Sequence, residues 1–152
     1  VGISAVKYAD LSKNRTSDYI FDWNTMLSFE GNTAPYLLYA YARIQSVLRR
    51  LQEESIAPAS TIALQAPEER ALGLKILQFA ELVRQVGEDC YPNQLCLYLY
   101  ELSGLFMKFY ESCPILKGAP EVQGSRLALA ALTAETLKQG LNLLGIEPLS
   151  RM

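Results

Sequence analysis

The stretch from Phe29 to Ile44, FEGNTAPYLLYAYARI, decides how the chain reads. Thr33 or Asn32 can cap a helix here, and Pro35 fits the first turn, where its missing N–H costs nothing. At about 100° per residue, Leu37, Tyr41, Ile44, Leu48 and Leu51 fall on one stripe. Tyr36, Tyr39, Ala40, Arg43, Val47 and Arg50 fall on a neighbouring one. The first stripe reads as core. The second mixes aromatic and cationic groups, so it is either packed interior or a surface that stacks on something flat.

Helical periodicity continues to the end of the chain. After the breaker-rich segment EESIAPASTIALQAPEE, a second helix is expected from near Pro67, with Glu68 and Glu69 at its positive end. Leu72, Ile76, Phe79, Val83 and Val86 give it a single apolar face. GEDCYPN breaks the pattern, and a third helix runs from about Asn93 with Leu95, Leu99, Leu102, Phe106 and Phe109 on one side. SCPILKGAPEVQG is a second loop. The last helix carries Leu127, Ala130, Ala134, Leu137 and Leu141, its alanines allow close approach of a neighbour, and Gly145 is placed to end it. Four long amphipathic helices imply an all-α bundle. Ahead of them, VGISAVKYADL reads as a short helix, SKNRTSDYIFDW as an extended crossing, and DWNTMLSF as a second short helix capped by Asp22 or Asn24. This front section is expected to be the edge of another domain.

At 152 residues, half hydrophobic and one-fifth charged, the chain can bury one proper core. No apolar run approaches the roughly 18 residues of a membrane span. VGISAVKYADLSKNR lacks an initiator Met and a signal-peptide pattern, so Val1 is expected to be internal to a longer protein. LLGIEPLSRM has no tag or linker, and Met152 is expected to be a natural terminus. Cys90, Cys96 and Cys113 form an odd, scattered set that reads as buried or half-buried thiols of a cytosolic protein. The absence of His removes triads and imidazole ligands, no Cys-x-x-Cys pair is present, and adjacent acids such as Glu68-Glu69 do not face one another on a helix. No catalytic or metal-binding residue is therefore assigned. A net charge of −2 excludes a diffuse basic coat, so any RNA contact must be a local site.

GISAVKYADLSKNRTSDYIFDW, FEGNTAPYLLYAYARI, GLFMKFYESCPIL and SRLALAALTAETLKQGLNLLGIEPLSRM, in that order, closely resemble the C-terminal part of bacterial arginyl-tRNA synthetases. The resemblance implies an all-α helix bundle of the class I synthetase anticodon-binding type over 23–152, with 1–22 a short remnant of the catalytic and stem-contact region. The family joins arginine to its tRNA with ATP and Mg²⁺ through an arginyl-adenylate. Its paired-histidine signature lies upstream and is missing here, so the fragment is expected to be inactive alone and to need no cofactor of its own. The implied partner is the anticodon loop of an arginine-accepting tRNA, with no DNA and no membrane. The full-length enzyme is expected to be a cytoplasmic monomer. DLSKNR looks like the Lys-Met-Ser-Lys loop of class I synthetases, but the spacing is partial and the family's loop lies earlier. Lys13 and Arg15 are better read as bracing the domain junction or touching tRNA phosphates.

Unpaired anticodon bases are read by stacking on aromatic faces and bonding to base edges, with Arg adding phosphate and cation–π contacts. Carried over by position from the family, Phe29, Ala34 and Tyr36 would line one side of such a site, and Tyr110 and Met152 another. Tyr39 and Arg43 join them from the aromatic–cationic stripe, and Arg151 would offset the terminal carboxylate. Tyr41, Tyr98 and Tyr100 are assigned to the core, and Arg126 to a structural role. A protein–protein module with no RNA specificity is the alternative. Val1, Ile3 and Val6 make self-association through an uncovered face plausible.

Overall fold

The computed structural model describes all 152 residues, and they form seven helices: α1 Gly2–Leu11, α2 Trp23–Met26, α3 Ala34–Glu53, α4 Pro67–Leu77, α5 Phe79–Asp89, α6 Pro92–Ser112 and α7 Pro120–Leu143. Prolines open α4, α6 and α7 and stand in the first turn of α3, where the backbone has no intrahelical acceptor to lose a donor to. Thr33 caps α3 by accepting from the Tyr36 N–H at 3.3 Å, and Asp22 caps α2 through the Asn24 N–H at 3.1 Å. Gly145, at φ +72°, carries the chain out of α7. No helix is long and apolar enough to cross a membrane.

The core is one cluster that includes Leu37 and Ile44 of α3, Leu72 of α4, Leu99 and Phe106 of α6, and Leu137 and Leu141 of α7. Burying each such side chain is worth roughly 1.5–3 kcal/mol. Among the glycines, Gly140 of α7 leaves least room for a side chain. A Cβ there would lie 2.5 Å from Leu99 Cδ2, and Leu99 is itself sealed in the core.

The second apolar pattern, expected as one helix, is divided at Gln78 into α4 and α5. Only the first part packs deeply: α4 buries Leu72 and Glu69, whereas α5 lays Phe79, Leu82 and Val86 half-buried against the cluster and buries nothing fully. Apolar periodicity runs through the junction unbroken, so it carries no signal of the break. The front section is joined to the bundle by packing. α1 buries Ala5 and Tyr8, and Tyr8 is part of the bundle's core cluster.

Two polar ties hold long connections. The Ala59 N–H donates to the Gly124 carbonyl at 2.9 Å, and the Ala63 N–H to Ser125 Oγ at 2.8 Å, fastening the segment between α3 and α4 along α7. Buried Glu69 accepts from the N–H groups of Gln65 (2.7 Å) and Ala66 (2.8 Å) and from Arg126 Nε (2.7 Å). Arg126 also donates to the Pro114 carbonyl at 2.9 Å, which gives it the structural role expected. Burial alone would raise the Glu69 pKa. The Arg126 hydrogen bond and the two backbone donors overcome it and hold the carboxyl below its usual value of 4.5.

Gly140→Ala should lower stability by about 1–3 kcal/mol. Gly104→Ala, where an added Cβ meets nothing within 4 Å, should raise it by about 0.5–1 kcal/mol; urea unfolding of both variants checks this. Glu69→Ala should cost about 3 kcal/mol at pH 7 by stranding Arg126. Because the folded carboxyl is depressed, its contribution is complete above the ordinary carboxylate range and fades as the pH falls through and below it. The gap between wild type and Glu69→Ala, followed by thermal melts, should therefore close on acidification.

Candidate nucleic-acid interface

Helix α3 is rotated so that Leu37, Leu38, Tyr41 and Ile44 face inward, while Tyr39 and Arg43, one turn apart, face solvent. The aromatic–cationic stripe is thereby divided. Ala40 and Val47, grouped with it by periodicity, are buried, and Leu48 of the core stripe is only half-buried.

Around Tyr39 and Arg43 the chain gathers a set of flat and cationic groups. Phe29, on the turn before α3, meets Tyr39 edge-on with ring centroids 6.3 Å apart, and both rings are exposed, at 53% and 43%. Edge-to-face contact covers one face of one ring only and leaves the remaining faces for a further partner. The Arg43 guanidinium lies 5.3 Å over the Tyr110 ring, which stacks at 6.1 Å on buried Phe106. The cation is thus held in place by an aromatic face anchored in the core. Tyr36 packs edge-on against Tyr100 at 5.5 Å, and burial, then Tyr100, raises its phenol pKa, keeping it a neutral hydrogen-bonding group.

The C-terminal tail closes the other side. Met152, exposed, and Arg151 line a groove of about 390 Å³ together with Tyr39, Ala42, Arg43, Ser46 and Arg49. The Arg49 guanidinium donates to the Ser150 carbonyl at 2.9 Å and ties the tail to α3. Arg43, Arg49 and Arg151 make this groove locally cationic in a chain whose net charge is −2.

Of the seven residues predicted from sequence, Tyr39, Arg43 and Met152 line one groove. Phe29 joins them through Tyr39, and Tyr110 through Arg43. Tyr36 lies on the same helix face, half-buried beside Tyr100. Ala34 is different: at 1% exposure its methyl belongs to the core cluster, because the first turn of α3 is pressed inward beside Pro35 and Leu37. Tyr41 and Tyr98 are buried as expected, whereas Tyr100 is half-buried under Tyr36. Ser46 and Arg49 were missed. Ser46 repeats the angle of Tyr39 two turns on, and that register was the available signal for it; Arg49 lies about 120° around the helix from Arg43 and reaches the groove through its bond to the tail, which no local pattern announces. Arg15, outside this surface, lies 5.1 Å over the Tyr91 ring and so links the front crossing to the start of α6. No group of three or more His, Cys, Asp or Glu side chains is placed to hold a metal ion.

The family described as DALR anticodon binding domain matches residues 37–152, and the family described as tRNA synthetases class I (R), catalytic domain, matches residues 1–23. Among relatives, the chain is 59% identical over 152 residues to the arginine–tRNA ligase of Marinomonas sp. (strain MWYL1) and 61% identical over 153 residues to that of Stutzerimonas stutzeri (strain A1501). All of this chain and 26% of each relative are covered. The arginyl-tRNA synthetase structure of Thermus thermophilus superimposes with a TM-score of 0.89 at 30% identity, over 99% of this chain and 26% of that one. The Plasmodium falciparum enzyme gives 0.85 at 33%, over 99% and 27%. The chain spans about a quarter of the length of the curated relatives it matches.

Arg49→Ala should free the tail without unfolding the bundle. Carboxypeptidase should then release Met152 and Arg151 severalfold faster than from wild type, with the thermal midpoint moved by no more than the loss of one exposed hydrogen bond, about 0.5–1.5 kcal/mol.

Proposed function

The chain belongs to the family of DALR anticodon binding domains, and from that premise we propose that its α3–tail groove reads the anticodon loop of an arginine-accepting tRNA, as the C-terminal domain of a monomeric, cytoplasmic arginine–tRNA ligase. The observation that carries the reading is the exposed Phe29–Tyr39 pair beside Arg43, Arg49 and Arg151. Exposed aromatic rings next to fixed cations serve unpaired bases and their phosphates, the features that distinguish a loop from a duplex. The roles follow from placement. Tyr39 and Phe29 offer stacking faces, Met152 presses on a base from the tail, and Arg43, held over Tyr110, supplies a cation. Tyr36 offers its hydroxyl at the rim. Ala34, being sealed, would contribute only backbone.

We divide the chain at residue 22, with 1–22 a remnant of the catalytic and stem-contact region and 23–152 the anticodon domain. The match of residues 1–23 to a catalytic domain supports the division, while the packing of Tyr8 into the bundle makes the remnant structurally continuous with the anticodon domain. ATP and Mg²⁺ would serve the attachment of arginine in the longer protein. The residues of this chain do not fit them: no strand and Gly-rich loop cradle a phosphate, and no carboxylate cluster is placed for a divalent cation. No step of that reaction is assigned to this chain. The likeness to arginine–tRNA ligases weighs against the protein–protein module considered from sequence.

Titration with anticodon stem–loops tests the reading. A matched loop should bind more tightly than one with a changed middle base, and both should weaken as salt rises. Tyr39→Ala should weaken the matched loop by about tenfold or more, on the scale of one lost stack at 1–3 kcal/mol, and Tyr36→Ala by roughly three- to tenfold, the scale of one hydrogen bond, with circular dichroism unchanged. Equal binding of both loops by wild type would overturn recognition of the anticodon bases, and a protein partner competing at the same groove would favour the module.

A further inference from the structure

The turn that carries Phe29 has little apolar anchorage of its own. Ser28 to Thr33 holds itself by local hydrogen bonds: Thr33 Oγ1 donates to the Ser28 carbonyl (2.6 Å), the Glu30 N–H donates to Ser28 Oγ (3.0 Å), and Gly31 supplies the left-handed φ of +82° that closes the loop. These contacts fix the shape of the turn but not its place on the bundle. One hydrogen bond ties residues 28–33 to an element other than α2 and α3. It comes from Tyr8 of α1, whose hydroxyl lies 2.5 Å from Asn32 Oδ1 and also donates to the Cys96 carbonyl of α6 at 2.9 Å.

Tyr8 is suited to this. Its ring is 1% exposed and locked in the core, so the hydroxyl cannot swing away. Burial, then the neighbouring Cys96 thiol, pushes its pKa far above the ordinary phenol range, so it remains a neutral donor. The single hydroxyl proton, shared by two acceptors, joins α1, α6 and the Asn32 turn at one point.

We propose that Tyr8 is a positioning residue for the aromatic groove: by holding Asn32 it sets the Phe29 turn on the bundle and so places the Phe29 ring at the edge of Tyr39. The inference rests on the RNA reading above for its consequence, but its geometric part stands apart from it. It also gives the front segment a task at the groove, which it does not itself line.

Tyr8→Phe keeps the ring and removes the hydroxyl; Asn32→Ala removes the other partner. Phe29–Tyr39 proximity is followed by ring NOEs in the RNA-free chain, and affinity by titration with the matched stem–loop. Each variant should lose the ring contact and bind roughly three- to tenfold more weakly, the scale of one hydrogen bond. The double variant should be no weaker than either single one. Leu72→Ala, a remote core truncation in α4, should lose at least as much thermal stability as Tyr8→Phe and, below its melting point, bind as wild type does. Unchanged ring contacts in Tyr8→Phe would overturn the proposal, as would additive losses in the double variant or lost ring contacts with unchanged affinity. Should wild type fail to bind the RNA while Tyr8→Phe still loses the ring contact, the RNA reading falls and the placement of the turn by Tyr8 stands.

Discussion

Burial of Leu37, Leu38, Ile44 and Leu51 fixes how α3 is turned about its own axis, and everything the surface offers depends on that rotation. A helix buried along one stripe has no freedom to present a different face, because each apolar side chain returned to water costs roughly 1.5–3 kcal/mol. With the stripe inward, Tyr39, Arg43, Ser46 and Arg49 are lined up along one wall of a groove. The close contact of Gly140 with Leu99 sets the packing of α7 on α6, and so contributes to the core against which α3 is pressed.

Buried polar contacts add placement to this apolar frame. Apolar burial is non-directional, and helices can slide or rock on one another at modest cost. Glu69, bonded to two backbone N–H groups and Arg126, accepts only one arrangement of α4, α7 and the Pro114 loop. Tyr8 does the same for α1, α6 and the turn before α3. Groups buried in this way are costly when left unpaired, so each tie penalises alternative packings more than it stabilises the native one.

On the proposed reading, the groove also reconciles an acidic chain with an RNA ligand. Three arginines are gathered at one place, one of them fixed over an aromatic ring and one bonded to the tail, while other cations are consumed elsewhere in the fold: Arg126 by Glu69, and Arg84 by Glu81 and Glu88. A local field of this kind attracts a backbone without the strong nonspecific adhesion of a basic coat. On that reading, selectivity is left to the flat groups at its rim.

Helix positions were legible in the sequence because Pro at first turns, Thr33 and Asp22 as caps, Gly145 as a stop and the 3.6-residue periodicity are local effects, each acting within a few residues. The break at Gln78 was not, since apolar residues continue in register on both sides of it and only the different depths at which α4 and α5 pack tell them apart. By itself the sequence determined that this chain is an all-α bundle resembling an anticodon-binding domain, and that an aromatic–cationic stripe lies beside the core stripe of α3. Which members of that stripe meet solvent was decided only by the tertiary structure: Ala40 and Val47 are covered, Tyr36 is half-buried, and Tyr39, Arg43 and Arg50 are open, while off the stripe Ala34 is sealed and Arg49 is recruited by the tail. The physical reason is that periodicity fixes angles around one helix, whereas exposure depends on where neighbouring helices and a tail some hundred residues away along the chain come to rest against it.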